Sequence, residues 1–280
     1  MRTHPQYAYI CALLAIPLLS GPGCDEPVEE TVTPVELTPG DRSPSHPASS
    51  IERLRVHIVA KYPHAPDAFT QGLLWHDGVL YESTGRYGRS SLRRVRLEDG
   101  KVLSERSLDP GFFGEGLALV DDRLVQLTWR SGIAVVSDLQ SLEREELLRY
   151  PGEGWGLCFD GTALVMSDGS SILERRDPES MGLLDEMTVW RGERPVRKLN
   201  ELECVGDDVY ANIWQSNEIV RIDAKTGRVT AVIDASGLLT PSEALRADVL
   251  NGIAYKPDTD TFLLTGKLWP HVFEVELVAH

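Results

Sequence analysis

QGLLWHDGVLYEST, residues 71–84, sets a pattern that returns four more times: EGLALVDDRLVQLTW (115–129), WGLCFDGTALVMSDG (155–169), NELECVGDDVYANIW (200–214) and NGIAYKPDTDTFLLTG (251–266). Each copy starts with a polar or aromatic residue, usually followed by Gly and then Leu or Ile. It runs on as a strand, turns through Asp and Gly, and returns as a second strand. The Leu/Ile positions are 73, 117, 157, 202 and 253, so the steps are 44, 40, 45 and 51 residues. A third strand follows each hairpin (SLRRVRL, GIAVVSD, SILERRD, EIVRIDA, HVFEVEL), and the turns LEDGKV and AKTGRV lead into a fourth. Four short strands per repeat of this length are the signature of a β-propeller blade. Five repeats predict an all-β, five-bladed β-propeller over residues 51–280.

The ends of that domain fit a ring. Ile51–Ala60 is a strand with no hairpin partner, and the last repeat has a third strand but no fourth. Pairing the two would close the ring and remove an exposed edge. Helix is expected only in short pieces, as a turn within DPESMGLLDEM (177–187) and within PSEALRADVL (241–250). A closed ring leaves no edge to share, so a monomer is expected.

The 280 residues are 42% hydrophobic and 25% charged, enough to bury a substantial core. A formal net charge of −15, spread along the chain, argues against nucleic acid or an anionic membrane surface as partner, because both require a basic patch. It suits solubility, and it is compatible with a cationic substrate such as a peptide amine.

The first 50 residues have a different composition. Arg2 and His4 precede an apolar run, Tyr7–Leu19, and small residues then lead to Cys24. Residues 1–24 read as a secretory signal, too short in its apolar part for a membrane span. Cys24 stands where a bacterial lipoprotein signal carries its lipid, although Gly21 occupies the place where that pattern has Leu. Residues 25–50, rich in Pro, acids and Ser/Thr, read as a flexible tether. The expectation is an exported protein: periplasmic, held to a membrane only through a lipid on Cys24, or secreted. Cys158 and Cys204 fall at equivalent places in neighbouring repeats. A disulfide in an oxidising compartment and two small buried hydrophobes both fit that placement.

In a propeller the first strand of each blade lines the central channel, so the repeat starts are where a site is expected. They read Phe69-Thr70-Gln71, Phe113-Gly114-Glu115, Gly154-Trp155, Asn200-Glu201 and Asn251-Gly252, and the ends of the second strands add Trp129, Trp214 and Lys267. Aromatic walls with a few polar groups suit a small molecule or a peptide terminus. Glu115 lies in Gly-Phe-Phe-Gly-Glu-Gly-Leu, where an unpaired carboxylate is costly to desolvate. Its pKa should rise, which suits a general acid–base; an ion pair with Lys267 or Arg130 is the other reading.

These residues resemble the glutaminyl-peptide cyclotransferases of the plant and bacterial type. The resemblance spans about residues 51–278 through PHAPDAFTQGL, LYESTGRYGRSSLR, FFGEGLAL, QLTWRSG, GEGWGLCFDG, LNELE, VYANIW, VLNGIAY and LTGKLWP, in the family's order. Ala65 departs from the Asp usual in the first of these. The resemblance implies a five-bladed propeller that closes the N-terminal glutamine of peptides to pyroglutamate and releases ammonia, with no cofactor. By the same likeness Glu115 is the catalytic carboxylate, and Gln71 and Asn200 hold substrate amide groups. Phe69, Trp129, Trp155 and Trp214 wall the pocket. Lys267 binds a carbonyl or steadies Glu115, and Glu201 helps to anchor the substrate ammonium. The rival readings are a metal-dependent lactonase, in which Glu115, Asn200 and Asn251 would be part of a ligand ring, and a non-catalytic binding propeller.

Overall fold

A computed structural model describes residues 51–280. The signal, the tether and Cys24 lie outside the described residues. An outer strand β1 (Glu52–Pro63) comes first. Four strands then form one antiparallel sheet, β2 (Thr70–His76), β3 (Val79–Thr84), β4 (Ser91–Arg96) and β5 (Lys101–Ser107). A second is built from β6 (Gly114–Val120), β7 (Arg123–Thr128), β8 (Ile133–Asp138) and β9 (Arg144–Arg149), and a third from β10 (Leu157–Phe159), β11 (Leu164–Ser167), β12 (Ile172–Arg176) and β13 (Leu183–Thr188). A small ribbon follows, β14 (Trp190–Arg191) and β15 (Arg194–Pro195). The remaining strands are β16 (Leu199–Val205), β17 (Asp208–Ile213), β18 (Glu218–Asp223), β19 (Val229–Asp234), β20 (Leu250–Lys256), β21 (Thr261–Gly266) and β22 (His271–Ala279). With β1 they form one sheet in the order β16-β17-β18-β19-β1-β22-β21-β20. The architecture is all-β and propeller-like.

The eight-stranded sheet contains the closure expected from the two chain ends. β1 runs antiparallel to β22, from Leu54 opposite Ala279 to Pro63 opposite His271, and so supplies the fourth strand of the last repeat. Its first residues, Glu52–Arg55, also pair in parallel with Ala231–Asp234 of β19, which fuses two four-stranded halves into one sheet. That second pairing has no counterpart in the repeat pattern.

The core lies between the sheets, not within them. Leu73, Leu80 and Val95 of the first sheet pack on Ala254, Leu263 and Val272 of the last half. Tyr81 and Leu92 meet Leu117 and Leu124, Ala118 and Leu127 meet Leu157 and Met166, and Cys158 and Leu173 meet Leu202 and Val220. Tyr210 and Ile233 meet Ile253 and Phe273. The five repeated Leu/Ile positions are all buried, each contributing about 1.5–3 kcal/mol by leaving water. Cys158 and Cys204 are joined by a disulfide between β10 and β16, with Cα atoms 5.5 Å apart.

Near the axis the inner strands crowd one another. A Cβ on Gly156 would lie 1.9 Å from the Asn200 carbonyl oxygen, and one on Gly116 would lie 2.5 Å from the Leu157 nitrogen. That explains the Gly that follows the first residue of three repeats, Gly72 included; Gly252 of the fifth is required instead by its φ of 126°. The fourth repeat has Glu201 there. Its side chain crosses to the neighbouring inner strands and accepts the Ile253 N–H at 2.8 Å and the Leu73 N–H at 3.2 Å.

Of the two short helical pieces expected, one is absent and one is present. DPESMGLLDEM contains no helix. Asp177 accepts both the N–H and the hydroxyl of Ser180, Met181 takes a left-handed φ of 60°, and Leu183–Thr188 is strand β13. In 241–250 the helix is only Pro241–Ala244 (α1), opened by a Thr240–Glu243 capping box. It cannot run on through Asp248, whose N–H bonds the Lys267 carbonyl and whose own carbonyl accepts the Trp269 indole.

Candidate active site

In four of the five repeats the inner strand carries one more residue than the strand beside it. The register slips between Thr70 and Gly72, between Gly114 and Leu117, between Leu199 and Leu202, and between Leu250 and Ile253. These are β-bulges, which bend a strand and re-aim its side chains. The residues inside them include Gln71, Glu115, Asn200 and Asn251; Trp155 holds the equivalent place in the remaining repeat.

A second recurring feature aims the other walls. The N–H of the residue just past the second strand bonds a carbonyl just ahead of the first: Gly85 to Phe69, Trp129 to Phe113, Trp214 to Lys198 and Lys267 to Val249, at 2.8–3.0 Å. In three of these hairpins the next residue is left-handed, Arg86 (φ 113°), Gln215 (φ 65°) and Leu268 (φ 62°). The chain turns sharply after Trp214 and Lys267, and these two residues, with Trp129 held by its bond to Phe113, line the cavity.

Together these side chains bound a cavity of about 540 Å³ lined by Phe69, Gln71, Phe113, Glu115, Trp129, Trp155, Asn200, Trp214 and Lys267, with Arg130, Glu153, Gln215, Asp248 and Val249 completing the rim. Every substrate residue expected from the sequence is there except Glu201. That carboxyl is fully buried among the inner strands, bonded to two backbone N–H groups, so it is a strut of the ring and does not anchor an ammonium. The aromatic walls meet edge to face. Phe113 packs against Phe69 at 6.1 Å and Trp129 at 5.6 Å between centroids, and Trp155 against Trp214 at 5.6 Å.

Glu115 is 4% exposed. Burial pushes its carboxyl well above the usual carboxylate range; the Lys267 ammonium pulls it down, the Glu153 carboxylate pushes it up, and a hydrogen bond from Gln71 pulls it down again. Lys267 is itself buried, with Nζ 5.1 Å from the centre of the Phe69 ring. Desolvation lowers its pKa, and Glu115 and Asp248 partly restore it. Arg130 is not a partner of Glu115; its Nε bonds Glu153 Oε1 at 2.9 Å. The Asn200 side-chain amide makes no hydrogen bond among the described residues, while its backbone carbonyl accepts the Ser167 hydroxyl at 2.6 Å.

Glu153 was not anticipated. Its Oε2 accepts the indole N–H of Trp129 at 2.8 Å and that of Trp155 at 3.2 Å. Burial raises its pKa, but the two indoles and Arg130 outweigh that and hold it below the ordinary value. The available signal was positional: Glu153 stands two residues before Trp155, as Phe69 and Phe113 stand two before Gln71 and Glu115. Among the described residues no group of three or more His, Cys, Asp or Glu side chains is placed to hold a metal ion.

Residues 32–277 match the model of a family described as glutamine cyclotransferase. The chain is 44% identical over 227 residues to a glutaminyl-peptide cyclotransferase of Arabidopsis thaliana, an alignment covering 79% of this chain and 71% of the relative. The crystal structure of a glutaminyl cyclase from Myxococcus xanthus superposes with a TM-score of 0.75 at 42% identity, covering 82% of this chain and 99% of that one.

The two glutamates should separate in a single comparison. Glu153→Gln is expected to raise KM about three- to tenfold as the indole walls loosen, with little change in melting temperature. It should also move the acid limb of kcat/KM to lower pH, since a negative charge that pushes Glu115 up is removed. Glu201→Gln sets an NH₂ against a backbone N–H and is expected to cost about 1–3 kcal/mol of stability with KM unchanged. Steady-state kinetics and thermal melts read both.

Proposed function

The chain belongs to the glutamine cyclotransferase family and acts on N-terminal glutamine; we propose that Glu115 shuttles the protons of that cyclisation and that the cavity folds the substrate for it. The observation that carries this is a buried carboxyl, raised by burial, in an aromatic cavity whose other buried polar groups are Gln71, Asn200 and Lys267.

The reaction is an intramolecular aminoacyl transfer. The α-nitrogen bonds to the side-chain carboxamide carbon, the C–N bond to the amide nitrogen breaks, and ammonia leaves a pyroglutamyl ring. A peptide α-amine has a reference pKa of about 8, so it arrives protonated at neutral pH. The ammonium loses one proton to become the nucleophile and a second as its nitrogen becomes the ring amide. The ionised Glu115 takes these in turn, returns one to the leaving nitrogen and releases the other to solvent, so ammonia departs and the carboxylate is restored. A carboxyl raised toward the amine's pKa exchanges that proton at little cost, and such transfers contribute about 10²–10⁴-fold. As the ring closes, the carboxamide oxygen gains negative charge, which N–H donors of Gln71 and Lys267 are suited to stabilise. The Asn200 amide is available for the substrate's backbone. Phe69, Trp129, Trp155 and Trp214 hold the glutaminyl side chain bent toward its own amine, an orientation otherwise costly in entropy.

The ring is read as five blades. This counts the three four-stranded sheets and the two halves of the eight-stranded sheet, and it is supported by the five core clusters, each between successive members, the last returning to the first. It carries the expectation of a monomer, which light scattering of the 25–280 protein would test. Export is part of the same reading. The Cys158–Cys204 disulfide suits an oxidising compartment, and Cys24 is proposed as the lipid anchor of the tether. Labelled palmitate should enter the wild-type protein in a bacterial host and not a Cys24→Ser variant; equal labelling of both would sink the anchor.

With a Gln-initiated dipeptide, ammonia and pyroglutamate are expected in equal amounts, with turnover that survives a chelator. Glu115→Gln should lower kcat by at least about 10²-fold while leaving the melt unchanged. Full activity in that variant would overturn the role of Glu115, and loss on chelation would favour the metal-dependent reading.

A further inference from the structure

Asn251 occupies the fifth bulge, yet it does not line the cavity. Its side chain is fully buried beneath it. Nδ2 donates to the Thr70 carbonyl at 3.1 Å and to Gln71 Oε1 at 3.3 Å. The first bond fixes the sense of the second. A backbone carbonyl only accepts, so the Asn251 amide must turn its NH₂ toward Thr70 even though its Oδ1 is then buried without a protein partner. With NH₂ facing it, Gln71 must answer with its oxygen. The Gln71 NH₂ is thereby the end left for the cavity, whose wall it shares with Glu115.

We propose that Asn251 is a positioning residue that locks the Gln71 amide with its N–H donors toward Glu115 and the substrate, so that Gln71 donates and never accepts there. The inference rests on the reading of Glu115 and Gln71 as reaction machinery. A free glutamine amide turns over readily, because its two ends have nearly the same shape. With oxygen forward it would set an acceptor against the Glu115 carboxylate and against the oxygen that gains charge during ring closure. Thr70, Gln71 and Asn251 thus form a relay from an invariantly accepting backbone group to the reacting atoms. The charged and titratable groups facing Glu115 are Lys267 and Glu153, with Tyr150 beyond the wall. The Asn251 side chain hydrogen-bonds to none of them.

The test is a double-mutant cycle on the 25–280 protein with a Gln-initiated dipeptide, read as kcat/KM against pH. Asn251→Ala is expected to lower kcat about tenfold, the worth of one hydrogen bond, with KM changed less than twofold. The acid limb should move to higher pH, because Glu115 loses a steadily held donor. Asn251→Ala added to Gln71→Ala should cost nothing further. Asn251→Asp nearly keeps the shape but has one proton where the amide had two; with that proton on Thr70 it offers Gln71 an acceptor and should be slower than Asn251→Ala. This second variant decides the matter if the alanine variant fails to fold. Additive losses in the cycle, an unmoved acid limb, or an aspartate variant as active as wild type would each overturn the relay alone. Full activity in Gln71→Ala would overturn the role of Gln71 and the relay with it.

Discussion

The structure depends on crowding at an axis. Inner strands that converge on a channel have no room for a Cβ where their backbones touch, as the contacts of Gly116 and Gly156 show. In three of the bulges beside those contacts a side chain enters the channel: Gln71, Glu115 and Asn200. The bulged strands thus bring Gln71, Glu115 and Asn200, far apart in sequence, to the cavity wall, and bury Asn251 against Gln71 just outside it. The hairpin bonds at Trp129, Trp214 and Lys267 add walls from the next strand outward. Because these positions rest on backbone geometry and packed sheets, the site is held rigidly, as a reaction that depends on folding its substrate requires.

The electrostatics follow from the same burial. Glu115 is raised chiefly because water is excluded, and the buried Lys267 offsets part of that without forming a close ion pair that would commit the carboxyl to one protonation state. Glu153 sits on the other side of the balance. It ties Trp129, Trp155 and Arg130 together at the rim and adds a negative charge that keeps Glu115 high. Glu82, by contrast, is a buried carboxylate held below its ordinary range despite burial, by His64 at 2.9 Å and by Thr70. At Glu82 the His64 ring and the Thr70 hydroxyl outweigh burial, whereas at Glu115 burial outweighs its partners.

The repeat unit, opening on a polar or aromatic residue two places before Leu or Ile, was legible in the sequence because it is a local pattern copied five times; it pointed to the channel, and eight of the nine residues named there line the cavity. Glu201 misled because it stands where the pattern has Gly, next to Asn200, and sequence adjacency does not say which of two neighbours a bulge turns inward. Glu153 was passed over because its role depends on two indole N–H groups converging from different repeats. The parallel pairing of β1 with β19 joins chain segments with no shared pattern. The disulfide could not be decided from spacing, since it depends on two strands placing their Cα atoms 5.5 Å apart.

The account turns on the protonation state of one side chain. A carbonyl-labelled glutamate spectrum of the free enzyme, assigned by its loss in Glu115→Gln and followed from acid to alkaline pH by carbon NMR, measures that state directly. The expected result is that the Glu115 carboxyl stays neutral well above pH 4.5 and ionises in the range where the substrate amine still carries its proton. A carboxyl that ionises at or below about 4.3, as an exposed glutamate does, would contradict the claim that burial prepares Glu115 for proton transfer.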